Sequence, residues 1–180
     1  GVLRALISNI KHGSTTQGAS TITQQLIKNN VFNVGGASNL FAKVKRKIQE
    51  QYLAIQVEKT TSKEDILTNY LNTINLGKGT LGVEAAANYY FDKSVDKLTL
   101  SECAVLAGIT KNPTRLNPID YPEDNKERRD LILKKMYELN YISGEEYETA
   151  LSADVYSRIS QNHANQSNHS VYSYFTDALI

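Results

Sequence analysis

The chain has one cysteine, one methionine, no tryptophan and three prolines among 180 residues. A single cysteine excludes an intrachain disulfide, a cysteine-rich zinc site and a CxxC redox pair. It leaves the compartment open. An excess of one charge is also missing: 20 Lys and Arg face 19 Asp and Glu, for a net charge of +1. No strong global field draws a polyanion, so nucleic-acid binding through bulk charge is not expected. No apolar run approaches the roughly 18 residues that cross a membrane, and no signal peptide is visible. His12, His163 and His169 lack metal-ligand spacing, so no zinc set is expected. What remains is 41% hydrophobic and 22% charged, an ordinary globular composition that excludes collagen, coiled coil and wholesale disorder.

Helical spacing dominates the chain, and no alternating strand pattern of any length occurs. Gly1-Val2-Leu3-Arg4-Ala5-Leu6-Ile7 reads as the inside of a helix with neither cap nor leader, which predicts a piece of a longer protein. Leu3, Leu6, Ile7 and Ile10 continue that helix until Gly13, and a polar loop follows over 14–18. A helix is predicted from Ser20, an N-cap type, with Ile22, Leu26 and Ile27. After a glycine-containing loop over 33–39, a long helix spans about 40–58. Phe41, Val44, Ile48, Tyr52 and Ile55 form its apolar stripe, and Leu53, Ala54 and Val57 add apolar surface elsewhere. Its second half is therefore expected to be buried nearly all round.

Ser62 and Asp65 resemble a capping box before a helix with Ile66, Leu67, Tyr70, Leu71 and Ile74 on one face. Gly77, Gly79 and Gly82 predict a flexible turn, and 83–91 a small-residue helix. Gly77-Lys78-Gly79-Thr80 lacks the frame and the preceding strand of a P-loop. Thr99 with Glu102 and Ser143 with Glu146 mark two further helix starts, and Pro122 suits the first position of a charged helix. Residues 157–170 are rich in Ser, Asn, Gln and His and read as a linker. The period evidence predicts an all-α fold, with a domain over 1–152 and a polar linker over 153–180.

Two places can carry chemistry. In Gly18-Ala19-Ser20-Thr21-Ile22-Thr23-Gln24-Gln25-Leu26-Ile27-Lys28-Asn29, hydroxyls and amides crowd the first turns of a helix. Free backbone N–H groups there favour an anion, with Ser20, Thr21, Gln24 and Gln25 as added donors and Lys28 one turn beyond Gln24. A capped polar helix face explains the same residues. In Lys45-Arg46-Lys47-Ile48-Gln49-Glu50, Arg46 and Glu50 share a face. A solvated pair explains them, and so does a carboxylate site at the edge of a buried surface.

The stretch over 18–29 resembles the signature of family 51 glycosyltransferases, the peptidoglycan glycosyltransferase domains of class A penicillin-binding proteins and their monofunctional relatives. Three more blocks resemble the family in order. They are Arg46-Lys47-Ile48-Gln49-Glu50; Tyr70-Leu71-Asn72-Thr73-Ile74-Asn75-Leu76-Gly77 with Gly82-Val83-Glu84-Ala85-Ala86-Ala87; and Leu98-Thr99-Leu100-Ser101-Glu102 through Gly108, with Pro113 and Asn117-Pro118. The similarity runs over about 1–150.

The resemblance implies a lysozyme-like helical fold at the outer face of a bacterial plasma membrane, in a parent anchored by a transmembrane helix. It implies polymerisation of lipid II into glycan strands with release of undecaprenyl pyrophosphate, in cell-wall synthesis. Glu50 matches the family's second carboxylate, which assists departure of the pyrophosphate, with a divalent cation such as Mg as an option. Ser20, Thr21, Gln24, Gln25, Lys28, Arg46 and Lys47 match donor pyrophosphate-binding positions. The implied partners are lipid II, the growing glycan strand and phosphoglycolipid inhibitors of the moenomycin type, with no nucleic acid.

The family's first block, which carries the proposed base, has no match here, so the fragment is expected to be inactive. Ala19 replaces a usual glycine, Leu81 a frequent aromatic, and the loop before residue 40 has no basic residue. Tyr174-Phe175-Thr176-Asp177 resembles a tract leading into a transpeptidase domain. The rival readings are a lysozyme-like peptidoglycan-cleaving enzyme and a lipid-phosphate binding module without turnover.

Overall fold

Capping chemistry sets most helix starts in the structure, a computed structural model that describes residues 20–32 and 40–159. The expected helix over 3–10, the loops over 14–18 and 33–39, and the segment over 160–180 lie outside the described residues. Among the described residues the chain is all-helical, with one isolated antiparallel bridge between Asn75 and Leu81. It divides into two compact units that meet at Thr73 and Ile74.

Unit 1 holds α1 (Ile22–Val31), α2 (Leu40–Thr60) and α3 (Lys63–Thr73). The cap of α1 is Thr21 rather than Ser20: Thr21 Oγ1 accepts from Gln24 N, and Thr21 N donates to Gln24 Oε1. Before α3, Ser62 Oγ accepts from Asp65 N at 3.1 Å. The Ser62 hydroxyl donates to the Asp65 carboxylate at 2.7 Å, the shorter Asp leaving the cap backbone alone. α1 packs against both α2 and α3, burying Thr23, Gln24 and Ile27 with Ala54, Ile66 and Tyr70.

The expected packing face of α2 is corrected by the structure. Phe41, Val44, Ile48, Tyr52 and Ile55 are all exposed, with Phe41 at 79% and Ile48 at 65%. Glu50 and Ala54 are buried instead, and Lys47, Leu53 and Val57 are half-buried. The first turns of α1 are polar, so the α2 face that meets them carries charge and a small Ala54 rather than large apolar side chains. Apolar spacing identifies a helix face, but the partner's chemistry decides whether that face is packed. The second half of α2 is thus buried on one side only.

Unit 2 holds α4 (Val83–Phe91), a 3-10 turn (Val95–Lys97), α5 (Leu100–Ile109), α6 (Pro122–Glu138) and α7 (Gly144–Ser152). The capping boxes of Thr99 with Glu102 and Ser143 with Glu146 are both formed, and Pro122 opens α6. α5 is the central helix and packs against α4, α6 and α7. Ser101, Glu102, Ala104, Val105, Leu106, Gly108 and Ile109 are buried along it. Ala104, Leu133 and Ala150 make one core cluster of α5, α6 and α7.

The segment before α4 is a tight hairpin rather than a loose turn. Gly77, Gly79 and Gly82 have φ near +80°, a region where a Cβ is unfavourable. The end of the unit departs from the composition reading. Residues 156–159 form a helical turn, Val155 and Ile159 are buried, and Tyr156 Oη donates to Asn125 Oδ1 at 2.7 Å. Residues 153–159 are therefore part of the packed unit, because two apolar side chains and one tyrosine find partners that a polar average conceals.

Candidate anion site on two helices

The first turn of α1 leaves the amides of Ile22 and Thr23 outside the helical hydrogen-bond ladder, so this end attracts negative charge. Around it, side-chain chemistry is set by which atoms are already engaged. Gln24 Oε1 accepts from Thr21 N at 3.1 Å. Gln25 Oε1 accepts from Tyr70 Oη at 3.4 Å. Burial raises the Tyr70 phenol above its ordinary pKa, so it stays a neutral donor. Each glutamine is thereby left with its Nε2 donors, which have no partner among the described residues.

The second group comes from α2. Glu50 is 1% exposed and lies one turn after Arg46 and Lys47. Lys47 Nζ sits 2.5 Å from Glu50 Oε2 and donates to Ser20 Oγ at 3.2 Å. Arg46 Nε is 3.3 Å from Glu50 Oε1, yet both atoms are buried without a hydrogen bond. The contact is an ion pair without hydrogen-bond alignment. Two cations therefore flank one buried carboxylate, and the cluster carries a surplus positive charge. This is not a solvated surface pair, because the carboxylate is out of water.

The structure thus joins Ser20, Arg46, Lys47 and Glu50 directly. Thr21 and Gln24 act as the cap of α1, so the capped-helix reading of that stretch is what the geometry shows, with the amide nitrogens of Gln24 and Gln25 left as donors. Lys28 is exposed, lies one turn beyond Gln24, and has no hydrogen bond or ion pair with another described residue. Among the described residues no three His, Cys, Asp or Glu side chains gather as a metal site. No helix there is long and apolar enough to cross a membrane.

Sequence reasoning missed two supports. Thr23 Oγ1 donates to Glu58 Oε1 at 2.6 Å, tying α1 to α2 two turns beyond Glu50. Tyr70 holds Gln25 from α3. The polar run Lys47, Glu50, Glu58 around Ala54 was the available signal for the first. Nothing local marks the second, since Tyr70 and Gln25 are 45 positions apart.

Comparison with known proteins places the chain in a family. Residues 1–137 match the Transglycosylase family. Penicillin-binding protein 1A of Haemophilus influenzae is 43% identical over 155 residues, which is 86% of this chain and 18% of that protein. Penicillin-binding protein 1A of Aquifex aeolicus is 46% identical over 151 residues, 84% of this chain and 20% of that one. Penicillin-binding protein 1F of Bacillus subtilis is 46% identical over 147 residues, 82% and 20%. This chain thus spans about a fifth of the length of these relatives. The crystal structure of Penicillin-Binding Protein 1A from Haemophilus influenzae superposes with a TM-score of 0.51 at 44% identity, over 56% of this chain and 15% of that one. With the family model matching residues 1–137, relatives at 43–46% identity over most of this chain and an all-helical fold shared with a solved relative, the chain belongs to the transglycosylase family of the penicillin-binding proteins.

Proposed function

We propose that this chain carries the donor site of a peptidoglycan glycosyltransferase, which holds the pyrophosphate of a lipid-linked glycan while the sugar is transferred. The observation that supports it is the donor-rich chemistry around the start of α1: Gln24 and Gln25 have their carbonyl oxygens engaged, and Lys47 reaches Ser20 from α2, with Arg46 paired to the same Glu50. Such a site suits an anionic leaving group. A peptidoglycan-cleaving enzyme releases no anion of this kind and has no use for it.

In this reading the acceptor 4-hydroxyl displaces the pyrophosphate directly at the donor anomeric carbon, with inversion. Lys47, Arg46 and the α1 amides take up the negative charge that grows on the departing oxygens. Glu50 holds the two cations in place and, once Lys47 turns to phosphate, faces the leaving group. A divalent cation at Glu50 would take most of its ligands from the pyrophosphate, because this single carboxylate is already paired with two cations. The acceptor's hydroxyl proton passes to a general base, which the resemblance places in the family's first block; such a base contributes roughly 10²–10⁴-fold in rate. The place of action is the outer face of the bacterial plasma membrane, and lipid II and phosphoglycolipid inhibitors of the moenomycin type are the ligands.

The test is affinity for a pyrophosphate-bearing lipid, measured with chelator and with added magnesium. Lys28→Ala and Arg46→Ala should each weaken binding by about 1.5–3 kcal/mol, the worth of a charged hydrogen bond. Glu50→Gln removes a negative charge beside an anion, so its metal-free binding should hold or tighten. Unchanged affinity in Lys28→Ala and Arg46→Ala would place the phosphate elsewhere. Tighter wild-type binding with magnesium, lost in Glu50→Gln, would place the cation at Glu50.

A further inference from the structure

The start of α1 is fastened to α2 at two points. Lys47 Nζ donates to Ser20 Oγ at 3.2 Å, just before the cap. Thr23 Oγ1 donates to Glu58 Oε1 at 2.6 Å, just after it. Lys47 and Glu58 are separated by about three turns of α2, so they lie on one face. Glu50 and Ala54 stand between them on that face and are buried.

The two fastenings differ in what a ligand does to them. The Lys47 ammonium is shared between Ser20 and Glu50, and its side chain is 43% exposed. It is the member that an arriving anion recruits. Thr23 is 5% exposed, and its hydroxyl meets a carboxylate at the short distance of a charge-assisted bond, roughly twice as strong as a neutral one. Glu58 has no ion-pair partner among the described residues. A carboxylate without a cation opposes a nearby anion, so charge gives Glu58 no part in holding phosphate. Its contribution is the bond to Thr23.

Thr23 carries one of the two free amides of the first turn. Fixing its hydroxyl fixes the rotation of α1 about its own axis. That rotation sets the direction of the free amides and of Gln24 and Gln25 beside them.

We infer that Glu58 is a positioning residue of the donor site: through Thr23 it keeps the first turn of α1 aimed while Lys47 leaves Ser20 for the phosphate. The inference rests on the donor-site reading proposed above. It gives a role to a carboxylate that touches no ligand.

The experiment follows the full 180-residue chain by two readouts: Kd for farnesyl pyrophosphate in chelator, and amide hydrogen exchange along α1. Glu58→Ala and Thr23→Val should each raise Kd about fivefold or more and speed exchange at Gln24 and Gln25. The double variant should lose no more than either single one, because one bond is removed. Glu58→Gln keeps an acceptor and Thr23→Ser keeps a donor, so each should stay within about twofold of wild type. Ser62→Ala takes the cap from α3 and weakens the same unit without touching the bond, so its Kd should not change. Thr23→Val keeps the side-chain shape, so it carries the test if Glu58→Ala does not fold. An unchanged Kd in Thr23→Val alongside weaker binding in Arg46→Ala would overturn the inference and leave the donor site standing. So would Glu58→Gln binding as poorly as Glu58→Ala, or Ser62→Ala binding as poorly as both. Binding indifferent to Arg46→Ala, with Gln24 and Gln25 exchange sped in Glu58→Ala and restored in Glu58→Gln, would sustain the hold on α1 and sink the donor-site reading.

Discussion

Lys47 and Glu50 form an ion pair of unequal burial: the glutamate side chain is 1% exposed and the lysine side chain 43%, with Nζ 2.5 Å from Oε2. Glu50 is committed to the interior of unit 1, and Lys47 reaches both it and Ser20 from the rim. An arriving anion meets the lysine first. The buried carboxylate would be costly alone, so its cations are needed for stability as well as for binding.

Lys47→Met should therefore destabilise unit 1 by about 1–2 kcal/mol, less than for a fully buried pair because Lys47 is partly solvated. Adding Glu50→Gln should recover part of that loss, since the uncompensated charge is gone. Urea unfolding of the two single variants and the double variant checks this. Additive losses would show that the two side chains act independently.

The α2 stripe gives a test of which face is packed. Phe41→Ser and Ile48→Ser should change stability by no more than about 0.5 kcal/mol, as for surface positions. Ala54→Leu, on the buried face, should cost about 1–3 kcal/mol through overpacking. Thermal unfolding of the three variants reads the difference, and a reversed order would restore the stripe as core.

Glu102 gives a pH dependence. Burial pushes its carboxyl up, but hydrogen bonds from Lys93 and from the Thr99 amide and hydroxyl outweigh this and hold it below the ordinary 4.5. The unfolded chain then binds the proton more readily than the folded one, so stability rises with pH across this window. The contribution is complete above 4.5 and disappears as pH falls through the lowered folded value. Glu102→Gln should be less stable than wild type by about 1–3 kcal/mol at neutral pH. That gap should narrow on acidification, as followed by urea midpoints from pH 7 to pH 3.

The end of unit 2 is tested by truncation. Ile159 is fully buried, and Tyr156 lies 5.4 Å from the Arg129 guanidinium with its hydroxyl on Asn125. Ile159→Ala should cost about 2–5 kcal/mol. A chain ended at residue 152 should lose cooperative unfolding, whereas one ended at residue 162 should retain it.

Local signals determined much of this molecule. Capping at Thr99 with Glu102 and at Ser143 with Glu146, Pro122 at the first turn of α6, and helical spacing throughout placed the helices. These are contacts within one turn, so a short window of sequence contains them. Arg46 and Glu50 were legible as neighbours for the same reason.

Tertiary packing decided the rest. Whether Phe41 to Ile55 or Glu50 to Val57 faced a partner depended on α1, which presents a polar turn there. Lys47 on Ser20, Tyr70 on Gln25 and Lys78 on Asp120 join residues 27, 45 and 42 positions apart. No periodicity encodes such pairs. They exist because helices and hairpins, once formed, bring particular side chains within hydrogen-bonding distance, and that distance fixes which polar atoms remain for a ligand.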